Sequence, residues 1–199
     1  MSLATYITFI RIFISPIFML VYLMHAYFDI SSLILPYILL FLMAVSELSD
    51  AFDGYFARKY NEVTDLGKIL DPMADSIARL SVFLSFTQPP VQIPLAIVFI
   101  FLYRDSVIST LRTICALKGF TLAARKSGKI KAVIQAIAAF VIVFLMIGEA
   151  SGKMSSIELQ TWSTWIVSIA ALYTIYSGVD YILANRVYIK RLLIKEPVV

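Results

Sequence analysis

The chain has 199 residues, of which 60% are hydrophobic and 15% charged, against an apolar share of roughly 45–50% in ordinary globular domains. A soluble fold is argued against, because stretches such as 12–28, 33–48 and 132–147 carry almost no charge on any helical face. The formal net charge of +4 in so apolar a chain points to anionic headgroups or phosphate ligands rather than to nucleic acid.

A bilayer core of about 30 Å needs roughly 20 mainly apolar helical residues. Windows of that kind occur near 6–28, 33–57, 69–87, 91–117, 129–149 and 160–184. The expected fold is therefore an all-α integral membrane protein of six transmembrane helices, in one domain over residues 1–199. Arg11 inside the first window, with no small-residue cleavage site after it, speaks against a cleavable signal. Short turn signals separate the windows: "YFDISS" at 27–32, "NEVTD" at 61–65, "TQPPVQIP" at 87–94, "LKGF" at 117–120 and "ASGKMSS" at 150–156. Neighbouring helices should pack antiparallel, and no linker, low-complexity tract or repeat divides the chain.

With both termini cytoplasmic, Arg58, Lys59, Lys68, the cluster from Lys118 to Lys131, and Arg186, Lys190, Arg191 and Lys195 all fall inside. Lys153 alone is left in an outer loop. The run "NRVYIKRLLIKEP" reads as an amphipathic tail on the inner leaflet, and Trp162 and Trp165 as interfacial anchors. Cys115 stands alone, so there is no disulfide framework or zinc pattern, and its expected role is packing.

Two regions break the apolar pattern. In the first, Asp50, Asp53, Gly54, Ala57 and Arg58 share one helical face, and Asp71 and Asp75, four apart, share another. Two facing helices can thus aim four carboxylates at one point. Ionisable groups near the centre of a span cost about 2.5–3.5 kcal/mol each, and bound cations remove that penalty. With neither His nor Cys in the cluster, a hard divalent ion, magnesium or manganese, fits better than zinc. The plainer alternative is a wet helix end whose Asp residues pair with Arg58, Lys59 and Lys68. Gly54 and Gly67 let a bulky ligand approach the backbone, or else serve close helix packing.

These residues fit D-x2-D-G-x2-A-R-x8-G-x3-D-x3-D at every fixed position, from Asp50 to Asp75. The chain thereby resembles the CDP-alcohol phosphotransferases. The resemblance implies that a CDP-linked donor, usually CDP-diacylglycerol, is attacked by an alcohol with release of CMP, at a site on the cytoplasmic interface of the bacterial inner membrane. It implies that Asp50, Asp53, Asp71 and Asp75 hold two divalent metals, and that Asp75 is ligand or base. Gly54, Ala57, Arg58 and Gly67 would line the nucleotide and phosphate pocket. A homodimer is implied too.

The second region, "YRDSVISTLRTICALKGFTLAARKSGKIKAVIQA", resembles the phosphatidylglycerophosphate synthase branch at Arg104, Ser109, Leu111, Arg112, Ala123, Ala124, Gly128, Lys129, Lys131 and Gln135. That branch implies glycerol 3-phosphate as acceptor, a dianion that needs fixed positive charge. Arg104, Arg112, Arg125, Lys129 and Lys131 are the candidate acceptor residues; the bland reading of each is a topology-setting cation, or for Arg104 a neutral pair with Asp105. Near the N-terminus "ATYITFIRI" keeps Thr8 and Arg11 of the branch's Pro-Asn-x-x-Thr-x-x-Arg, candidates for contact with the donor nucleotide or phosphate.

Departures are Ala4 and Thr5 for the Pro-Asn pair, Ser76 for the Lys after the last Asp, and Asp105, Thr113, Arg125 and Ala132 for Glu, Glu, Ser and Thr. Ser76 and Arg125 alter charge where the acceptor should enter. Inositol phosphate, serine or phosphatidylglycerol as acceptor, or a divalent-cation transporter built on the Asp cluster, are the rival readings. Transporters often show inverted repeats, which this sequence lacks.

Overall fold

A computed structural model of the chain describes residues 3–59, 65–118, 122 and 125–193; side chains are described from residue 10 onward, except at 51, 53–59, 65–71 and 190–193. Among the described residues there are helices and turns and no strand. The helices are α1 (Leu3–Met24), α2 (Leu35–Lys59), α3 (Asp65–Ser85), α4 (Leu95–Leu117), α5 (Lys126–Ala150), α6 (Ser156–Ala184) and the short α7 (Arg186–Leu193).

Each apolar window lies on one long helix, and the boundaries shift where local chemistry outweighs hydropathy. The window at 91–117 begins late, because Pro94 is extended and caps α4 at Leu95. The window at 160–184 begins early, because Ser155 and Glu158 form a reciprocal capping box that starts α6 at Ser156. The "NEVTD" turn lies mostly outside the described residues.

Helix α1 packs on α2 and α3, α6 packs on α4 and α5, and the two groups join where α5 meets α2 and α3 and where α4 meets α3. Helix α7 lies against α4 and α6. Phe18 and Tyr22 of α1, Phe83 of α3, Phe86 just after it and Phe101 of α4 form an edge-on aromatic cluster, with the Phe83 and Phe101 centroids 4.8 Å apart. The Tyr22 hydroxyl donates to the Gln88 carbonyl at 2.9 Å and accepts from the Val91 amide at 3.3 Å, pinning the proline-rich turn to α1.

The core is mainly apolar, but so is much of the outside, and a few polar side chains are buried. Arg11, Lys131, Gln135, Thr174 and Ser177 are buried, while Phe13, Phe41, Phe99, Phe144, Trp165 and Leu172 are exposed. Helices Lys126–Ala150 and Ser156–Ala184 are long and apolar enough to cross a membrane. The protein is all-helical and of membrane type.

Candidate active site

Helix α2 leaves its apolar first turns and enters "SELSDAFDGYFARK", while α3 opens with the polar "DLGKILDPMADS". The polar ends of both helices flank α1, whose Arg11 is only 2% exposed. The Arg11 Nη1 donates to Asp50 Oδ1 on α2 and to Asp75 Oδ1 on α3. Two carboxylates from separate helices thus converge on one buried nitrogen. The Ser15 hydroxyl donates to the Arg11 carbonyl at 2.9 Å.

The other oxygen of Asp75 faces a second guanidinium, with Arg79 Nη2 3.5 Å from Oδ2. Arg79 is four residues on from Asp75, and Glu47 three residues before Asp50; both line a cavity just below the carboxylates. Neither residue was singled out from the sequence. Their helical spacing from the motif aspartates was the available signal.

The donor set suits a hard cation. Asp50 and Asp75 offer carboxylate oxygens alone, held together around a positive group, and α2 and α3 also carry Asp53 and Asp71. Among the described residues no three His, Cys, Asp or Glu side chains cluster. The side chains of Thr8, Asp53, Gly54, Ala57, Arg58, Gly67 and Asp71 lie outside the described residues.

Asp105 on α4 organises the neighbouring basic region. Its Oδ1 accepts from Lys131 Nζ at 2.7 Å and from Arg104 Nη1 at 2.9 Å. Its Oδ2 accepts from Lys131 Nζ at 2.9 Å and from the Ser76 hydroxyl at 3.2 Å. Ser76 follows Asp75 directly, so the acidic and basic regions meet here. Arg104 Nη2 also donates to Ser177 Oγ at 2.8 Å. Two glycines leave room for the Arg104 side chain: a Cβ on Gly128 would sit 3.5 Å from Nη2, and one on Gly178 would sit 3.2 Å from Cγ.

The remaining candidate cations are spread outward. Arg112 donates from Nε to the Tyr181 hydroxyl at 3.2 Å, and its guanidinium carbon lies 5.4 Å from the centre of that ring. Arg125 makes a two-pronged pair with Asp180 at 2.7 and 3.2 Å, and Ser127 donates to the same carboxylate at 2.5 Å. Those hydrogen bonds hold the Arg125 guanidinium above its ordinary pKa. Lys129 is exposed. The structure therefore brings Arg104 and Lys131 together on one carboxylate, while Arg125 pairs with Asp180, Arg112 with Tyr181, and Lys129 is exposed.

Over 189 residues the chain is 31% identical to the CDP-diacylglycerol--glycerol-3-phosphate 3-phosphatidyltransferase of Rickettsia typhi, covering 94% of this chain and 98% of the relative. It is 32% identical over 195 residues to the Bacillus subtilis protein of the same name, covering 92% and 95%. A probable phosphatidylglycerophosphate synthase of Mycobacterium tuberculosis is 25% identical over 181 residues, covering 91% and 80%. The profile of the CDP-alcohol phosphatidyltransferases matches residues 1–176, and the chain belongs to that family.

Proposed function

We propose that the protein transfers the phosphatidyl group of CDP-diacylglycerol to the hydroxyl of glycerol 3-phosphate, giving phosphatidylglycerophosphate and CMP. The observation that carries this reading is the convergence of Asp50 and Asp75 beside a cationic region, in a chain similar almost end to end to enzymes named for that reaction.

In this reading the whole chain is one domain of six spans with both termini in the cytoplasm, embedded in a bacterial inner membrane and working as a homodimer. Asp50, Asp53, Asp71 and Asp75 hold two divalent ions, magnesium or manganese. When bound, these ions supply charge stabilisation to the pyrophosphate and to the departing CMP. Asp75 is positioned to take the proton of the acceptor hydroxyl as the new phosphorus–oxygen bond forms and the bond to CMP breaks. Thr8, Gly54, Ala57, Arg58 and Gly67 receive the nucleotide and its phosphates. Arg11, which neutralises Asp50 and Asp75 in their shared contact, supplies a donor-phosphate partner within the same space.

The acceptor dianion is drawn by Arg104, Arg112, Arg125, Lys129 and Lys131. Asp105 and Asp180 cancel part of that charge, leaving the cations in excess. The test is CMP release by purified protein in detergent with CDP-diacylglycerol and magnesium, comparing glycerol 3-phosphate, inositol 1-phosphate and serine. Release with glycerol 3-phosphate alone, abolished by chelator, is the expected result. Release only with another acceptor would overturn the choice of substrate.

A further inference from the structure

Below the candidate active site, between α1, α2, α3 and α5, lies a cavity of about 40 Å³ whose polar lining is Ser15, Ser46, Glu47, Arg79 and Gln135. Two of these residues carry buried polar atoms without a hydrogen-bond partner: the donor Arg79 Nε and the acceptor Gln135 Oε1. Gln135 is 1% exposed. Buried polar atoms are almost always satisfied, by protein or by ordered water. A water needs roughly 10–15 Å³ by this measure and two to four polar partners, and the cavity supplies both.

We propose that this cavity is a structural water site, and that Arg79, braced by the water, is a positioning residue that fixes the Asp75 carboxylate. One water accepts from Arg79 Nε and donates to Gln135 Oε1, so an orphan donor and an orphan acceptor satisfy each other. Gln135 is itself anchored, its Nε2 donating to Thr174 Oγ1 at 3.2 Å and that hydroxyl donating to the Ala170 carbonyl at 2.8 Å. The strut thus runs from α3 through α5 into α6. At its active-site end Arg79 takes Oδ2 of Asp75, which leaves Oδ1 aimed at the point where Asp50 Oδ1 also converges.

This assignment also gives a reason for Ser76. The resembling branch carries Lys directly after the final Asp; here that place is Ser76, whose hydroxyl is committed to Asp105. The cations at the Asp75 carboxylate are Arg11 on Oδ1 and Arg79, one helical turn further along α3, on Oδ2.

The positioning role rests on the phosphatidyl-transfer reading, whereas the water site does not. The experiment is a double-mutant cycle of Arg79→Met and Gln135→Leu, read on both CMP release and melting temperature in detergent. Arg79→Met is expected to lower kcat about tenfold or more with the KM for glycerol 3-phosphate within about twofold, the scale of a lost orienting partner. Gln135→Leu is expected to lower kcat less, with the double variant no worse than Arg79→Met alone. An unchanged kcat in Arg79→Met, or a loss carried by KM, overturns the positioning role; additive losses of melting temperature overturn the bridge. If the wild type releases no CMP with any acceptor, the transfer reading and the positioning role fall together. An experimental structure of the wild-type protein then decides the water separately: density within hydrogen-bond distance of both Arg79 Nε and Gln135 Oε1 supports it, and an empty cavity overturns it.

Discussion

The ends of α2 and α3 and the α4–α5–α6 region carry opposite majority charges and resolve them differently. Around Arg11, the carboxylates of Asp50, Asp75 and the nearby Glu47 face the guanidiniums of Arg11 and Arg79, so carboxylates outnumber guanidiniums. Around Asp105, two cations share one carboxylate, which accepts hydrogen bonds from both. In the proposed reading, the first is an assembly that gives up stability to bind metal and donor. The second is a structural joint that also sets the local field. Substitutions at the two centres should therefore separate activity from stability in opposite directions.

The largest effect is expected at the acidic centre. Asp53→Ala or Asp75→Ala should lower turnover by at least about a hundredfold, since even residues that only orient metal ligands cost 10–100-fold. Protein level in the membrane should be unchanged, as an immunoblot of the membrane fraction would report. Asp50→Asn sharpens the contrast. It removes one of two like charges around Arg11, so the melting temperature should hold or rise while CMP release is lost. A clear fall in melting temperature would mean that Asp50 is structural.

Asp105→Asn should behave the other way. Removing the charge strands the Lys131 ammonium and the Arg104 guanidinium in a buried setting, and breaking such a pair costs about 3–5 kcal/mol. The side chains of Lys131 and Asp105 are only 4% and 10% exposed. A large drop in detergent melting temperature is expected, with residual activity in whatever fraction stays folded. A variant that melts like the wild type and has lost acceptor affinity alone would make Asp105 part of the binding surface rather than the joint.

What the sequence allowed a reader to see follows the same division. Hydropathy located the six long helices, because an apolar outside leaves an unbroken apolar run, and the fixed spacing from Asp50 to Asp75 singled out the two carboxylates that meet at Arg11. In both regions it was the neighbouring charges that escaped. Arg79 and Glu47 lie on the motif helices at helical spacing from Asp75 and Asp50, yet nothing local distinguishes them from topology-setting charges. Asp105 registered as a departure from a usual Glu and as a neutraliser of Arg104. Its hold on Lys131, 26 residues away, and on Ser76, 29 residues away, depends on how α3, α4 and α5 pack. Asp180 was invisible as the partner of Arg125 for the same reason, since 55 residues separate them.

The acceptor site sits between these extremes. Lys129→Ala with Lys131→Ala should raise the KM for glycerol 3-phosphate by about 10–100-fold, the range for losing charge-assisted hydrogen bonds worth about 1.5–3 kcal/mol. The KM for CDP-diacylglycerol should move much less. Because Lys131 is tied to Asp105 while Lys129 is exposed, Lys129→Ala alone is the cleaner probe. If all the effect resides in Lys131 and tracks melting temperature, the basic region is a joint and not a phosphate site.

The smallest effect bears on where the two regions touch. Ser76 joins them through Asp105, and it occupies the place where the resembling branch carries Lys. If a cation on α3 is what holds Oδ2 of Asp75, then Ser76→Lys introduced into Arg79→Met returns a positive charge beside the same carboxylate from the adjacent residue. A several-fold recovery of kcat over Arg79→Met is expected, with full recovery prevented because the new ammonium also competes for Asp105 and lacks the guanidinium's fixed fork. The same substitution in the wild-type background should lower kcat, since a third cation then joins Arg11 and Arg79 at a carboxylate that needs one oxygen open. Recovery in the first background with loss in the second would distinguish a transferable orienting charge from a general gain in stability, which would move both in the same direction.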